Sequence, residues 1–398
     1  MAKLGEDMKR HAFVWILAMA AGLVPAFAAP QYTTKRLGDV VQLRDAKSDM
    51  TVSVLLPVNN AYEIVVKGHN VIRMAINSVD QMRANPGLNG IPFLAPFANR
   101  LDQDAFYANG RKYNFDMELG NVRGAVPIHG YLSGTSRWKL VEAKSDGKSA
   151  WVTSKLEFTK YPDYMKQFPF AHTITMTYRL ANGSLEVHTR LDNQSAEAMP
   201  VAIGFHPYFA LTDSVRKDWT LSAPVKKHWL LTDAKVPTGE TEAAENFFGR
   251  DGHAVPLSRF ADKPIDDVFS DIERDAKGRG TISFKGASQS ISLTAGPNYK
   301  GFVLYSTVPM PPNPNGGRGG LGRGAFTPPP PVSTGPAIPL SAADAGPAPW
   351  ERGFIAIEPY AGVSNSMNLA QAGKYPELQS IPPGGHWEES FWVTPAGY

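Results

Sequence analysis

Polar and apolar residues alternate along much of the chain. In His172 to Leu180 the apolar Ile174, Met176, Tyr178 and Leu180 take every second position, with Thr173, Thr175, Thr177 and Arg179 between them. A period of two puts each set on one face of an extended strand, so the run predicts a strand with one buried side. Leu185, Val187 and Leu191 continue the pattern after Ala181-Asn182-Gly183-Ser184. Asn and Gly tolerate the positive φ that a tight two-residue turn demands, so the two strands should pair as a hairpin. Further runs predict strands at Thr51–Leu56, Tyr62–Lys67, Trp151–Thr159, Ser290–Thr294, Gly301–Thr307 and Phe354–Glu358. No amphipathic helix of any length follows the N-terminal segment. Many short strands broken by Gly, Pro, Asn and Asp predict an all-β fold, a large antiparallel β-sandwich.

Two stretches break this rhythm. Residues 1–28 carry Lys3, Lys9 and Arg10, then an apolar run from Ala12 to Val24, then Ala26-Phe27-Ala28. That order reads as a secretory signal peptide cleaved after Ala28, and the apolar run is well short of the roughly 20 residues a membrane span needs. The mature protein is therefore expected in the bacterial periplasm or outside the cell, with no membrane contact after cleavage. Between about Pro309 and Pro349 roughly half the residues are Pro or Gly. Such composition cannot bury a core and reads as a low-complexity insert in a single sandwich domain over 29–398. Its Gly317, Gly319 and Gly322 match G-x-G-x-x-G, but without the strand and helix that a dinucleotide site requires.

Composition narrows the chemistry. The chain has 398 residues, 43% hydrophobic and 19% charged, with no Cys. Disulfide scaffolds, zinc ribbons, Fe–S clusters and thiol nucleophiles are excluded. A formal charge of +3 gives no field that argues for nucleic acid or an anionic membrane. There is no H-E-x-x-H, Walker A or G-x-S-x-G motif, so metal, nucleotide and serine-hydrolase chemistry find no support, and no metal or cofactor is expected.

What remains is a set of isolated polar residues in aromatic and Pro-rich surroundings. Asn99-Arg100 closes an apolar run that begins at Pro92; the Arg is either an edge charge or a fork for ligand hydroxyls. His129 sits in Pro127-Ile128-His129-Gly130, where Gly permits close backbone approach and Gly134 and Trp138 could build a wall. His206 lies in Gly204-Phe205-His206-Pro207-Tyr208-Phe209, a setting that suits a packed His or a sugar that stacks on aromatics. Glu358 ends the apolar run from Phe354, aligned with Ala356 and Phe354 and opposite Ile355 and Ile357. Burying that carboxylate is costly unless it reaches solvent or a partner. Asp266-Asp267 reads as a solvated acidic pair in a loop.

Taken in order, these segments resemble the aldose 1-epimerase (galactose mutarotase) family. The likeness is carried by Asn99-Arg100, Ile128-His129-Gly130, Phe205-His206-Pro207-Tyr208-Phe209, Ile265-Asp266-Asp267-Val268-Phe269 and Phe354 to Pro359. The resemblance implies a galactose mutarotase-like supersandwich and a cofactor-free interconversion of the α and β anomers of a free aldose such as galactose or glucose. It makes Glu358 the general base and His206 the general acid, with an ionised Glu beside a protonated His near neutral pH. Arg100, His129, Asp266, Asn99 and Tyr208 would bind the sugar, and the protein would be a monomer or homodimer. Two features depart from the family pattern: Tyr131 follows Gly130 where many members carry a second Gly, and the insert precedes the Glu358 strand. A sugar-phosphate 1-epimerase would need a cationic pocket, for which Arg100, Arg123 and Arg137 are candidates. A glycoside hydrolase pairing Glu358 with Asp266 or Asp267, and a non-catalytic carbohydrate-binding module, are the remaining alternatives.

Overall fold

The alternating run at His172 forms the strand His172–Ala181 in the computed structural model, with every second side chain buried. It pairs antiparallel with Ser184–Asn193, and Asn182 and Gly183 turn the hairpin at φ of 52° and 69°. The other anticipated strands appear as Met50–Leu55, Asn60–Val66, Ala150–Glu157, Ser290–Ala295, Gly301–Ser306 and Ile355–Tyr360. Described residues are 29–309, apart from 74, 75, 77, 119 and 121, and 352–398. The expected leader over 1–28 and the Pro/Gly-rich insert beyond Pro309 lie outside them. Residues Gln31–Tyr398 cluster as one unit; of the other, Met1–Pro30, only Ala29 and Pro30 are described.

Two large antiparallel sheets dominate this unit. One has nine strands, in which His386–Ala396 lies between Ser184–Asn193 and Ser290–Ala295. The other has eight and carries the chemistry described below. Its central path runs Val225–Leu231, Ile265–Ile272, Gly301–Ser306, Ile355–Tyr360, Gly204–Phe205 and Phe93–Leu94. A five-stranded sheet spans Tyr32–Asn70. Helices are short, with Val79–Ala84, Pro162–Gln167 and Ser366–Gln371 reaching six residues each.

The main core fills the space between the large sheets. Ile174, Met176, Val187 and Phe391 from one meet Phe205, Phe269, Leu304, Ile355 and Ile357 from the other. The rings of Phe205 and Phe391 stand 4.9 Å apart. Each such aliphatic or aromatic burial contributes ~1.5–3 kcal/mol of transfer free energy. Trp138 belongs to this core, edge-on to Phe93 at 6.2 Å, and does not wall the cavity described below. On its opposite face the eight-stranded sheet presents Val268, Val303 and Tyr360 to a second apolar cluster.

His172 adds a pH-sensitive element. Its buried ring stacks on Phe158 at 4.2 Å and its Nδ1 donates to the Phe170 carbonyl at 2.6 Å. Burial pulls it down to about 4, so the folded protein keeps it neutral where the unfolded chain takes a proton. Its contribution is complete above the unfolded value of about 6.5 and is lost as pH falls through the folded one, a swing of about 3 kcal/mol. Urea denaturation at pH 7.5 and pH 4.5 should show wild type losing clearly more stability than His172→Asn. Equal losses would contradict this assignment.

Candidate active site

The site grows from residues two apart on neighbouring strands. Asp266 pairs with Tyr305, and Val303 with Glu358, so Asp266, Tyr305 and Glu358 all rise from one face. Asp266 and Asp267 thus lie on the strand Ile265–Ile272 and not in a solvated loop. Strand alternation separates them. Asp266 lines a cavity, whereas Asp267 turns to the other face and meets His228 Nε2 at 3.1 Å.

The cavity measures about 930 Å³ and its walls include Asn99, Arg100, His129, His206, Tyr208, Asp266 and Glu358. The seven residues that the family resemblance implies for the site therefore meet in one place. Glu358 is 1% exposed and His206 5% exposed. Glu358 Oε1 lies 3.1 Å from His206 Nε2, and the Tyr360 hydroxyl donates to Oε2. The His206 ring stacks on Tyr208 at 4.4 Å and stands edge-on to Tyr305 at 5.9 Å. With Phe354 these tyrosines form an aromatic wall of the kind a sugar's C–H face packs against.

Arg100 and His129 are held by backbone turns that only certain residues accept. Asn99 and His129 both sit at positive φ, 55° and 60°, a strained choice for non-glycine residues that is common at functional sites. They lock each other. The His129 N–H donates to the Asn99 carbonyl at 2.8 Å, and the Asn99 N–H donates to His129 Nδ1 at 3.2 Å. Accepting at Nδ1 leaves the ring proton on Nε2. Burial first, then His206, Arg100 and Arg123, holds His129 well below its usual range, so it stays neutral and is a donor only at Nε2. Asn99 Oδ1 accepts from both the Arg100 N–H at 2.8 Å and Nη1 at 3.0 Å. Arg100 Nη2 then donates to Asp266 Oδ2 at 3.3 Å, giving a cation and an anion side by side for ligand hydroxyls.

Electrostatics of the central pair push both groups away from the charged forms expected near neutral pH. Burial pushes Glu358 well above the usual carboxylate range, against the pull of Tyr360 and Arg100 and with a further push from Asp266. Burial also pulls His206 down to about 3, with Arg100 adding to the fall. Burial thus disfavours the charged form of each partner.

Other residues sort clearly. Arg137 is away from the cavity, paired with Asp163 at 2.7 Å and stacked over Tyr161 and Tyr164. Arg123 does line the cavity, together with Arg73 and, beyond the Val79–Ala84 helix, Asn85 and Asn89. Thr307 and Phe354, which flank the insert in sequence, line it as well. Tyr360, Tyr305 and Arg73 escaped sequence reasoning. Tyr360 shares a strand face with Glu358, and that spacing of two was the available signal. Among the described residues no three His, Asp or Glu side chains converge to hold a metal ion.

Comparison with solved structures finds the same fold elsewhere. A galactose mutarotase-like protein from Clostridium acetobutylicum is 18% identical, with a TM-score of 0.70 over 92% of this chain and 98% of its own. Galactose 1-epimerase from Lactobacillus acidophilus NCFM is 13% identical, with a TM-score of 0.64 over 92% of this chain and 98% of its own. The GalM/aldose epimerase homologue from C. elegans is 14% identical, with a TM-score of 0.61 over 88% of this chain and 97% of its own. Such identities speak for the fold alone. In sequence, the uncharacterized protein YphB of Escherichia coli K12 is 26% identical over 137 residues, 34% of this chain and only 41% of that relative. The family model for aldose 1-epimerase matches residues 63–375, a span that contains all of the site segments above, and the chain belongs to the aldose 1-epimerase family.

Proposed function

We propose that the protein is an aldose 1-epimerase that interconverts the α and β anomers of a free aldose such as galactose or glucose. The observation that carries this reading is the 3.1 Å approach of His206 Nε2 to Glu358 Oε1 in the wall of a cavity with Arg100 and Asp266 beside it. A hemiacetal carries its hydroxyl O1 and ring O5 on the same carbon, so an acid and a base this close can serve both oxygens. With the pair's shared proton passed to His206 across the 3.1 Å contact, Glu358 takes the proton of the O1 hydroxyl while His206 gives its own to O5. The C1–O5 bond breaks, the O1 electron pair forms the carbonyl, and the open chain carries a new hydroxyl at C5. Rotation about C1–C2 and the reverse transfers close the ring on the other face.

Proton bookkeeping supports the scheme. Ring opening converts carboxylate and imidazolium into carboxylic acid and imidazole, which is the neutral form that burial favours. The buried site thus favours the form the pair reaches on ring opening. His129 Nε2–H is available to the ring oxygen. Arg100 and Asp266 are suited to hold sugar hydroxyls.

A second reading, an aldose bearing a phosphate, rests on Arg123, an exposed cavity residue with no ion-pair partner among the described residues. Anomer exchange measured by NMR magnetisation transfer on glucose, galactose and glucose 6-phosphate separates the two. Free aldoses should exchange faster in the presence of protein, and a preference of tenfold or more for the phosphate would replace the first reading with the second. The rate should also be level from pH 6 to pH 7, because His206 takes its second proton only near 3 and not at the ordinary imidazole value. A limb near pH 6.5 would contradict the lowered His206.

A further inference from the structure

We infer that Tyr360 is a positioning residue that sets the basicity of Glu358 and links that carboxylate, through Asn99, to the sugar-clamping Arg100. This rests on the reaction proposed above. Glu358 and Tyr360 are two apart on the strand Ile355–Tyr360, so their side chains leave the same face. The Tyr360 hydroxyl donates to Glu358 Oε2, while Oε1 faces His206. One carboxylate oxygen is thereby anchored and the other is aimed at the reacting centre.

The phenol is itself fixed. Its ring lies across Gly204, where an added Cβ would stand 2.2 Å from Tyr360 Cδ1 and 2.9 Å from Ala98 Cβ. Gly204 pairs with both Tyr360 and Leu94 in the sheet, so neither backbone can retreat independently. The Asn99 side chain meets the same hydroxyl, and its Oδ1 is held by Arg100 through the backbone N–H and Nη1. With the Arg100–Asp266 pair at one end and His206 at the other, the polar groups form one connected row.

The chemistry follows from the direction of these bonds. A phenol that donates to a carboxylate favours the anion, and the Arg100–Asn99 link polarises the groups in the same sense. In surroundings where burial opposes ionisation, this donor is what keeps a usable base within reach. The titratable and charged groups facing Glu358 are His206, Tyr208, Tyr305, Arg100, Asp266 and Tyr360. Only Tyr360 donates to Oε2 among the hydrogen bonds of the described residues.

Tyr360→Phe keeps the ring over Gly204 and removes the donor. Its kcat should fall ~10–100-fold, as expected for the loss of a hydrogen bond to a charged group, with KM within about twofold of wild type. The alkaline limb of the kcat profile should move to higher pH. Placing 3,5-difluorotyrosine at position 360, a stronger donor of nearly the same shape, should move that limb to lower pH, and this variant carries the test if Tyr360→Phe does not fold. Unmoved limbs in the folded variants would overturn the inference. If wild type accelerates anomer exchange for no aldose, the functional reading fails on its own. The inference is then decided by following the Glu358 carboxyl with ¹³C NMR in wild type and either variant: it should titrate higher in Tyr360→Phe and lower with difluorotyrosine, and an unchanged titration would sink it.

Discussion

Glu358→Gln should slow catalysed anomer exchange by ~10²–10⁴-fold, and His206→Asn should do the same, since each removes one half of a proton-transfer pair. Folding should survive the first change. Gln has nearly the shape of the neutral carboxylic acid that burial already favours at this position, and its amide can still meet the Tyr360 hydroxyl and His206. The double variant should be little worse than either single one, because the two groups, 3.1 Å apart, act as a unit. Rates for Glu358→Gln within about threefold of wild type, in a variant with unchanged thermal stability, would remove Glu358 from the chemistry.

Gly130→Ala should be the most damaging small change to the scaffold of the site. Gly130 sits at φ of 57°, and a Cβ there would lie 2.1 Å from the Ala95 carbonyl oxygen. The left-handed conformation alone costs an alanine ~1–2 kcal/mol. The clash adds to it because backbone, and not a flexible side chain, must give way. Ala95 also accepts from the Tyr131 and Leu132 N–H groups at 3.0 and 3.2 Å, so moving it disturbs the segment that leads to Asn99 and Arg100 on one side and His129 on the other. We expect a loss of ~3 kcal/mol or more in urea denaturation and a fall in activity beyond it. Gly110→Ala is the control: its φ is 71°, yet nothing lies within 4 Å of the added carbon. That variant should lose only the conformational cost. Equal losses in the two would show that the close approach at Ala95 is unimportant.

How much of this was legible in the sequence depended on the range of the interaction. Period-two patterning located the long strands and the Asn182-Gly183 hairpin because those features are local. It also placed Glu358 on the face opposite Ile355 and Ile357, and the structure has those isoleucines in the core and Glu358 in the cavity. The two-residue strands Phe93–Leu94 and Gly204–Phe205 show no period at all, being defined by their neighbours in the sheet. Asp266 and Asp267 looked alike as a loop pair until strand pairing with Gly301–Ser306 assigned them to opposite faces. Trp138 was expected to wall the site because it follows His129, and Arg137 to be open to a phosphate, but Trp138 is held by Phe93 and Arg137 by Asp163. Tyr360 reads as one more apolar strand residue, and its hydroxyl acquires meaning only once Glu358 is seen beside it. The shifts of the central pair were illegible for a related reason: ordinary values carry no information about burial, and burial is the leading cause of both shifts.

The central claim is that this buried pair opens and closes the ring of a free aldose. Polarimetry of freshly dissolved α-D-glucose and α-D-galactose, with and without the purified protein, tests it most directly. The account predicts that the approach to the equilibrium rotation quickens in proportion to protein concentration, that the end point is unchanged, and that Glu358→Gln returns the time course to that of buffer. Wild-type traces that superimpose on buffer alone for both sugars would contradict it.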